Sequence, residues 1–249
     1  MKKIFSLLLI SLCVSLVYAQ APNSGAPIPR VKKKGRIDLS NRPGDHLMVQ
    51  FSSDHWTGTP DSIKSRMTGI SRGANVYVMF DKPFKSDARF SIGIGAGVST
   101  SNIYFKKMNV DIIAGGNTLP FTNLDSVNHY KKFKLSTAYL EVPVEFRFSA
   151  DPEHDKKSIK GALGVKVGTL LSAHTKGKSL EDKTDKVINS YTEKLNRKNF
   201  FNSTRLSVTA RVGYGIFSVF GSYQINNMFK DGVAPVIKPF QVGITLSGL

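Results

Sequence analysis

Few groups in this sequence stand where they could do chemistry together. Glu141 and Glu145 lie four apart in "STAYLEVPVEFRFS", and Lys166 follows in "KGALGVKVG". On neighbouring antiparallel strands they would share one face, and paired carboxylates can serve as acid and base, as in glycosidases. The same residues, joined by Arg147, Arg205 and Arg211, also read as a charge ladder in which each buried ion finds a partner. The ladder is the preferred reading. "SSDHW" sets Ser53, Asp54 and His55 side by side, but adjacent residues of a strand point to opposite faces, so the three do not converge into a triad without a bend. His129, His154 and His174 are isolated, and no two of the five histidines have ligand spacing. The single cysteine, Cys13, lies in an N-terminal apolar run, which leaves no disulfide or thiol nucleophile beyond it. The expectation is a protein with no catalytic residues, no metal and no cofactor.

The elements that carry these residues repeat with a period of two. "FSIGIGAGVS" sets Phe90, Ile92, Ile94, Ala96 and Val98 on one face and Ser91, Gly93, Gly95, Gly97 and Ser99 on the other. Such alternation is an extended strand, and three glycines on one face imply crowding there. Seven further stretches alternate in the same way. Leu47, Val49 and Phe51 line the first. Ala74, Val76, Val78 and Phe80 line the second, against Asn75, Tyr77 and Met79. Leu140, Val142, Val144, Phe146 and Phe148 oppose Glu141, Glu145 and Arg147. Leu163, Val165 and Val167 oppose Gly164, Lys166 and Gly168. The last three are centred on Leu206–Val212, Phe217–Ile225 and Phe240–Leu246.

Connections between these stretches alternate in length. The segments after the first, third, fifth and seventh strands are long, including Tyr104–Phe133 and His174–Asn199. "DKPFKSDA", "DPEHDKKS" and "GYGI" are short. Short turns on one side and long loops on the other are the habit of a transmembrane barrel. A Greek-key sandwich has no reason for that regularity. The fold class expected is all-β, an eight-stranded antiparallel up-and-down transmembrane β-barrel. Its apolar face meets lipid, and its small-and-polar face meets a crowded lumen in which the glycines make room for larger neighbours.

Lys2 and Lys3 precede an apolar run from Ile4 to Val17, and Val17-Tyr18-Ala19 suits a signal peptidase, so residues 1–19 read as a cleaved signal peptide. Residues 20–45, rich in Pro, Gly and basic side chains, read as a flexible periplasmic leader. Residues 46–249 are then the barrel. With 35 basic and 18 acidic residues, the formal charge is +17. For an exported chain this points to anionic lipid, lipopolysaccharide or glycan rather than nucleic acid, and much of the lysine also reads as solubilising loops. Lys106, Lys107, Lys131, Lys132 and Lys134, around the second long loop, are the lysines expected to face lipopolysaccharide phosphates. The third long loop reads as solvated, with room for a short helix. Trp56, Tyr104, Phe105, Phe133, Phe200, Phe201 and Phe229 are placed in interfacial girdles.

"DHLMVQFSSDHWTGTPDSI", "GISRGANVYVMFDKPF", "SIGIGAGVSTSNIYF" and the closing "PFQVGITLSGL" resemble small outer-membrane β-barrel proteins of Bacteroidota, often labelled PorT-like. The resemblance spans about Arg36 to Leu249, although many such barrels end in Phe where this chain has Leu249. It implies a Gram-negative outer-membrane location, insertion by the barrel-assembly machinery, and a structural, adhesive or accessory role in an envelope assembly such as a secretion system. It carries over no catalytic or ligand-binding residue. Two alternatives stay open at this point. One is a narrow pore or transport component. The other is a soluble, lipocalin-like periplasmic binder of an apolar ligand, with the apolar face turned inward.

Overall fold

The computed structural model describes residues 47–68, 70–154 and 157–247. The expected signal peptide, the basic leader and Leu249 lie outside the described residues. The strands are β1 (Leu47–Thr57), β2 (Arg72–Pro83), β3 (Phe90–Phe105), β4 (Met108–Val110), β5 (Phe121–Asn123), β6 (His129–Ser149), β7 (Ile159–Glu181), β8 (Val187–Asn196), β9 (Thr204–Tyr214), β10 (Phe217–Gln224) and β11 (Lys238–Ser247), with one helical turn, α1 (Asp61–Lys64). Eight of them close a ring in the order β1-β2-β3-β6-β7-β9-β10-β11. Every pairing is antiparallel, and β11 returns to β1. Closure leaves no open edge along the ring, which is what a strand in hydrocarbon requires. Among the described residues no helix is long and apolar enough to cross a membrane.

The alternation seen in the sequence sorts the two faces. Phe80, Ile94, Phe146, Leu163, Val212, Val219 and Ile244 project outward and are largely exposed, whereas Gln50, Asn75, Glu141, Glu145, Lys166, Ser207 and Thr245 are buried inside. The apolar rows therefore face away from the lumen. That is opposite to the arrangement a lipocalin-like binder needs, and a belt of this kind is tolerated where lipid covers it. The short connections, including the Gly215–Ile216 turn where Gly215 adopts φ of +60°, gather at one end. The long ones gather at the other, outer end.

Two long segments differ from their sequence reading. β6 and β7 run 21 and 23 residues, about twice the 9–11 that cross a bilayer. Their outer halves rise above the barrel. There β8 pairs with β7 through Thr175↔Leu195 and Gly177↔Glu193. The third loop is thus a β-hairpin rather than a solvated loop or a short helix. Its alternation was hidden because β8 is exposed on both faces for most of its length, so no apolar period marks it. In the second loop β3 continues to Phe105, β6 begins at His129, and a small β4–β5 hairpin fills the gap.

Candidate functional site: a charged lumen beneath an aromatic cap

β6 supplies both carboxylates, and its neighbours supply the space for them. Gly97 on β3 and Gly168 on β7 lie opposite Glu141, and Gly93 and Gly164 lie opposite Glu145. A methyl group at Gly93 would collide with the Arg147 guanidinium, at Gly168 with the Glu141 side chain, and at Gly97 with Tyr77. These glycines are where the barrel is too narrow for two side chains, and the acids with their partners fill the volume they leave.

The charges form two tiers. In the one nearer the short turns, Glu145 Oε2 accepts from Arg147 Nε at 2.9 Å and from Arg211 Nη2 at 3.1 Å, and Arg147 also faces Asp81 at 3.6 Å. In the next tier Arg205 Nη1 lies 3.1 Å from Glu141 Oε1, and the Tyr77 hydroxyl donates to Glu141 Oε2 at 2.6 Å. Lys166 donates to Gln50 Oε1 at 3.1 Å and sits over the Tyr77 and Phe220 rings. Gln50, Asn75, Ser99 and Thr245 extend the network across four strands. Glu141, Glu145, Arg147, Lys166, Arg205 and Arg211 are all at least nine-tenths buried. Each glutamate is held by arginine, so neither is a free acid or base facing a substrate. The arrangement is a polar plug.

Above the plug the outer mouth is closed by an apolar cluster. Trp56, Phe105, Phe133, Phe200, Phe201 and Phe229 are buried together with Ile63, Met108, Ile112 and Ile237. Phe201 and Phe229 have ring centroids 5.1 Å apart, and Trp56 meets Phe229 edge-on at 6.1 Å. These six aromatics therefore do not form the interfacial girdle expected of them. They sit inside the mouth because the long loops fold back over it and need a core of their own. Tyr104 alone of that set is only partly buried, on the outer wall.

The remaining candidates separate. Ser53 Oγ lies 3.0 Å from His55 Nε2 on the outer face, and His55 stacks on Phe240. Asp54 points into the lumen, bonded to Ser52 and Gln241, so among the described residues no carboxylate orients the imidazole. His154 pairs with Asp151 in a short turn. His129 joins Glu181 and Asp185, a convergence of ligand-type groups that spacing along the chain did not reveal. Lys107 lies 2.8 Å from Asp185 Oδ1, and Lys131 lies 3.4 Å from Glu181 Oε1. The Lys107 hydrogen bond holds the Asp185 carboxyl below its usual range. Lys107 shares the Asp185 oxygen that faces His129, and Lys131 takes the other oxygen of Glu181, so the group is also an ion-pair cluster. A cavity of about 340 Å³ opens nearby, lined by Asn109, Asp111, Tyr130, Phe133 and Thr175 among others.

The five loop lysines do not share one surface. Lys107 and Lys131 are engaged as above, Lys106 is exposed, and Lys132 and Lys134 stand on the outward face of β6. The chain matches none of the curated proteins. The family model described as "Outer membrane protein beta-barrel domain" matches residues 44–230. That span covers most of the closed eight-stranded ring just described, and the chain belongs to this outer-membrane β-barrel family.

Proposed function

We propose that this outer-membrane barrel neither conducts nor catalyses, and that it serves as a structural, adhesive or accessory component of an envelope assembly, such as a secretion system of the PorT-like kind. One observation carries the reading. The lumen is filled twice, by ion pairs and then by an apolar cap, while β6, β7 and β8 extend beyond the ring. A filled barrel has nothing to offer a solute, and an extended outer sheet offers area to a partner. Export by a cleaved signal peptide and insertion by the barrel-assembly machinery belong to this reading, as does contact with outer-membrane lipid and lipopolysaccharide.

The test is conductance of the full chain, expressed with its own signal sequence and purified from the outer membrane, in planar bilayers. Flat current traces from protein that migrates as a heat-modifiable band are the expected result. Resolved channel openings would replace the reading with that of a narrow pore.

A further inference from the structure

The cross-strand register above the apolar belt holds a feature that the plug and cap do not explain. Lys134 on β6 pairs with Lys176 on β7, and Lys176 pairs with Lys194 on β8. One rung further out, Lys132 pairs with Lys178. Directly opposed residues on a sheet have Cβ atoms about 5 Å apart, and like charges so placed repel. Among the described residues none of these five lysines is paired with a carboxylate. Lys134 donates instead to Asn102 Oδ1 at 2.7 Å and lies 5.8 Å over the Tyr104 ring. The rung below holds Asn102, Ser136, His174 and Asn196. Partial burial and the three lysines of the row hold the His174 imidazole below its ordinary pKa, so this position adds a neutral polar group rather than a further cation.

The whole array faces radially outward. Below it the same strands continue into exposed Leu140, Val142 and Val144 on β6 and Leu171 and Val167 on β7. A ligand seated here has an anionic head against the lysines and an apolar body against the belt, which describes an amphiphile and not a soluble anion.

We propose that the row Lys134–Lys176–Lys194, with Lys132 and Lys178 on the next rung, binds the phosphate groups of an outer-leaflet glycolipid. This rests on the outer-membrane reading above and gives its lipid contact a site. The lysines supply point charges, and exposed Asn196 on the rung below supplies hydrogen bonds to the sugar side of the head group.

The experiment measures retention of bisphosphorylated lipid A, and of the same lipid with its phosphates removed, by the full-length protein in nanodiscs. The wild type is compared with the triple variant Lys134→Gln/Lys176→Gln/Lys194→Gln, the triple Arg variant at the same positions, and a control triple Lys183→Gln/Lys186→Gln/Lys230→Gln. Expected is a loss of about tenfold or more in the first triple variant. An equal loss is expected for wild type when the phosphates are absent, with the Arg and control variants unchanged. Equal retention of both lipids by the wild type overturns the site even if no variant folds. So does undiminished binding by the Gln triple, an equal loss in the control, or release of the lipid by inorganic phosphate that binds through the same lysines. A wild type that shifts on heating yet ignores the phosphates refutes this site and leaves the barrel reading standing. Absence of the heat shift removes both.

Discussion

Glu145 shows how a single residue can hold two strands of a narrow barrel together. It is almost wholly buried and accepts from two arginines, one on its own strand and one on β9. Glu145→Leu leaves both guanidinium groups in the lumen with their principal counter-ion gone. Breaking a buried pair from one side costs about 3–5 kcal/mol, so the heat-shift midpoint of this variant falls sharply. The quadruple change of Asp81, Glu145, Arg147 and Arg211 to apolar residues of similar volume falls much less, because Asp81, which faces Arg147 at 3.6 Å, leaves together with the other three charges. Thermal electrophoresis of the two variants side by side checks this, and equal losses would count against the ion-pair account. Gly93→Leu is expected to be as damaging as Glu145→Leu, since a side chain there meets the Arg147 guanidinium.

At the scale of elements, the cap is expected to open without the barrel unfolding. The cap's core joins loop residues such as Ile112, Phe201 and Phe229 to strand residues such as Trp56, Phe105 and Phe133, and Phe229 touches Trp56, Phe121 and Phe201 at once. Phe229→Ala removes a buried ring worth about 3–5 kcal/mol. The expected outcome is faster proteolysis of the outer loops with an unchanged barrel heat shift. Loss of the shift would mean that the two units unfold together. The cap is also tied down electrostatically, because Arg66 beside α1 is bonded to Asp125 in the segment leading to β6. That hydrogen bond lowers the Asp125 pKa. A carboxyl whose folded pKa is depressed gives stability above its unfolded pKa and loses it as pH falls through the folded value. Amide protection, measured relative to the intrinsic exchange rate, in the Asp61–Met67 and Asn123–His129 segments should therefore hold at neutral pH and fall only below the ordinary carboxylate range. The variant Asp125→Asn should lose that pH dependence.

For the molecule as a whole, plug and cap lie in series along the lumen, so opening either one alone is expected to leave conductance absent. Replacing Glu141, Glu145, Lys166, Arg205 and Arg211 with Ala while leaving the cap intact should give no conductance in planar bilayers. Joining those changes to excision of residues 182–198 and Phe229→Ala should yield measurable channels. Current from the first variant alone would show that the cap does not seal the mouth. The basic excess of the chain, 35 basic residues against 18 acidic, is spent partly inside. Arg147, Lys166, Arg205 and Arg211 are enclosed, so total charge overstates what the outer surface presents.

Period-two alternation, glycine placement and the long-short rhythm of the connections together determined the eight strands, their two faces and the residues of the charged plug. These signals are local, and each strand carries its own. The ring's pairing order followed from the same rhythm, because short turns and single-span loops leave consecutive strands as neighbours. Only the tertiary structure decided what the long loops do. Trp56 and Phe229 at strand ends read alike whether they face lipid or each other, and folding of the loops over the mouth settles it. β8 carries no apolar period because neither of its faces is covered. The lysine row also waited for the register, since residues 134, 176 and 194 meet only when β7 is threaded between β6 and β8. Alternation along a strand fixes which way a side chain points. Which side chain stands across from it depends on strand registry, a long-range property of the closed sheet.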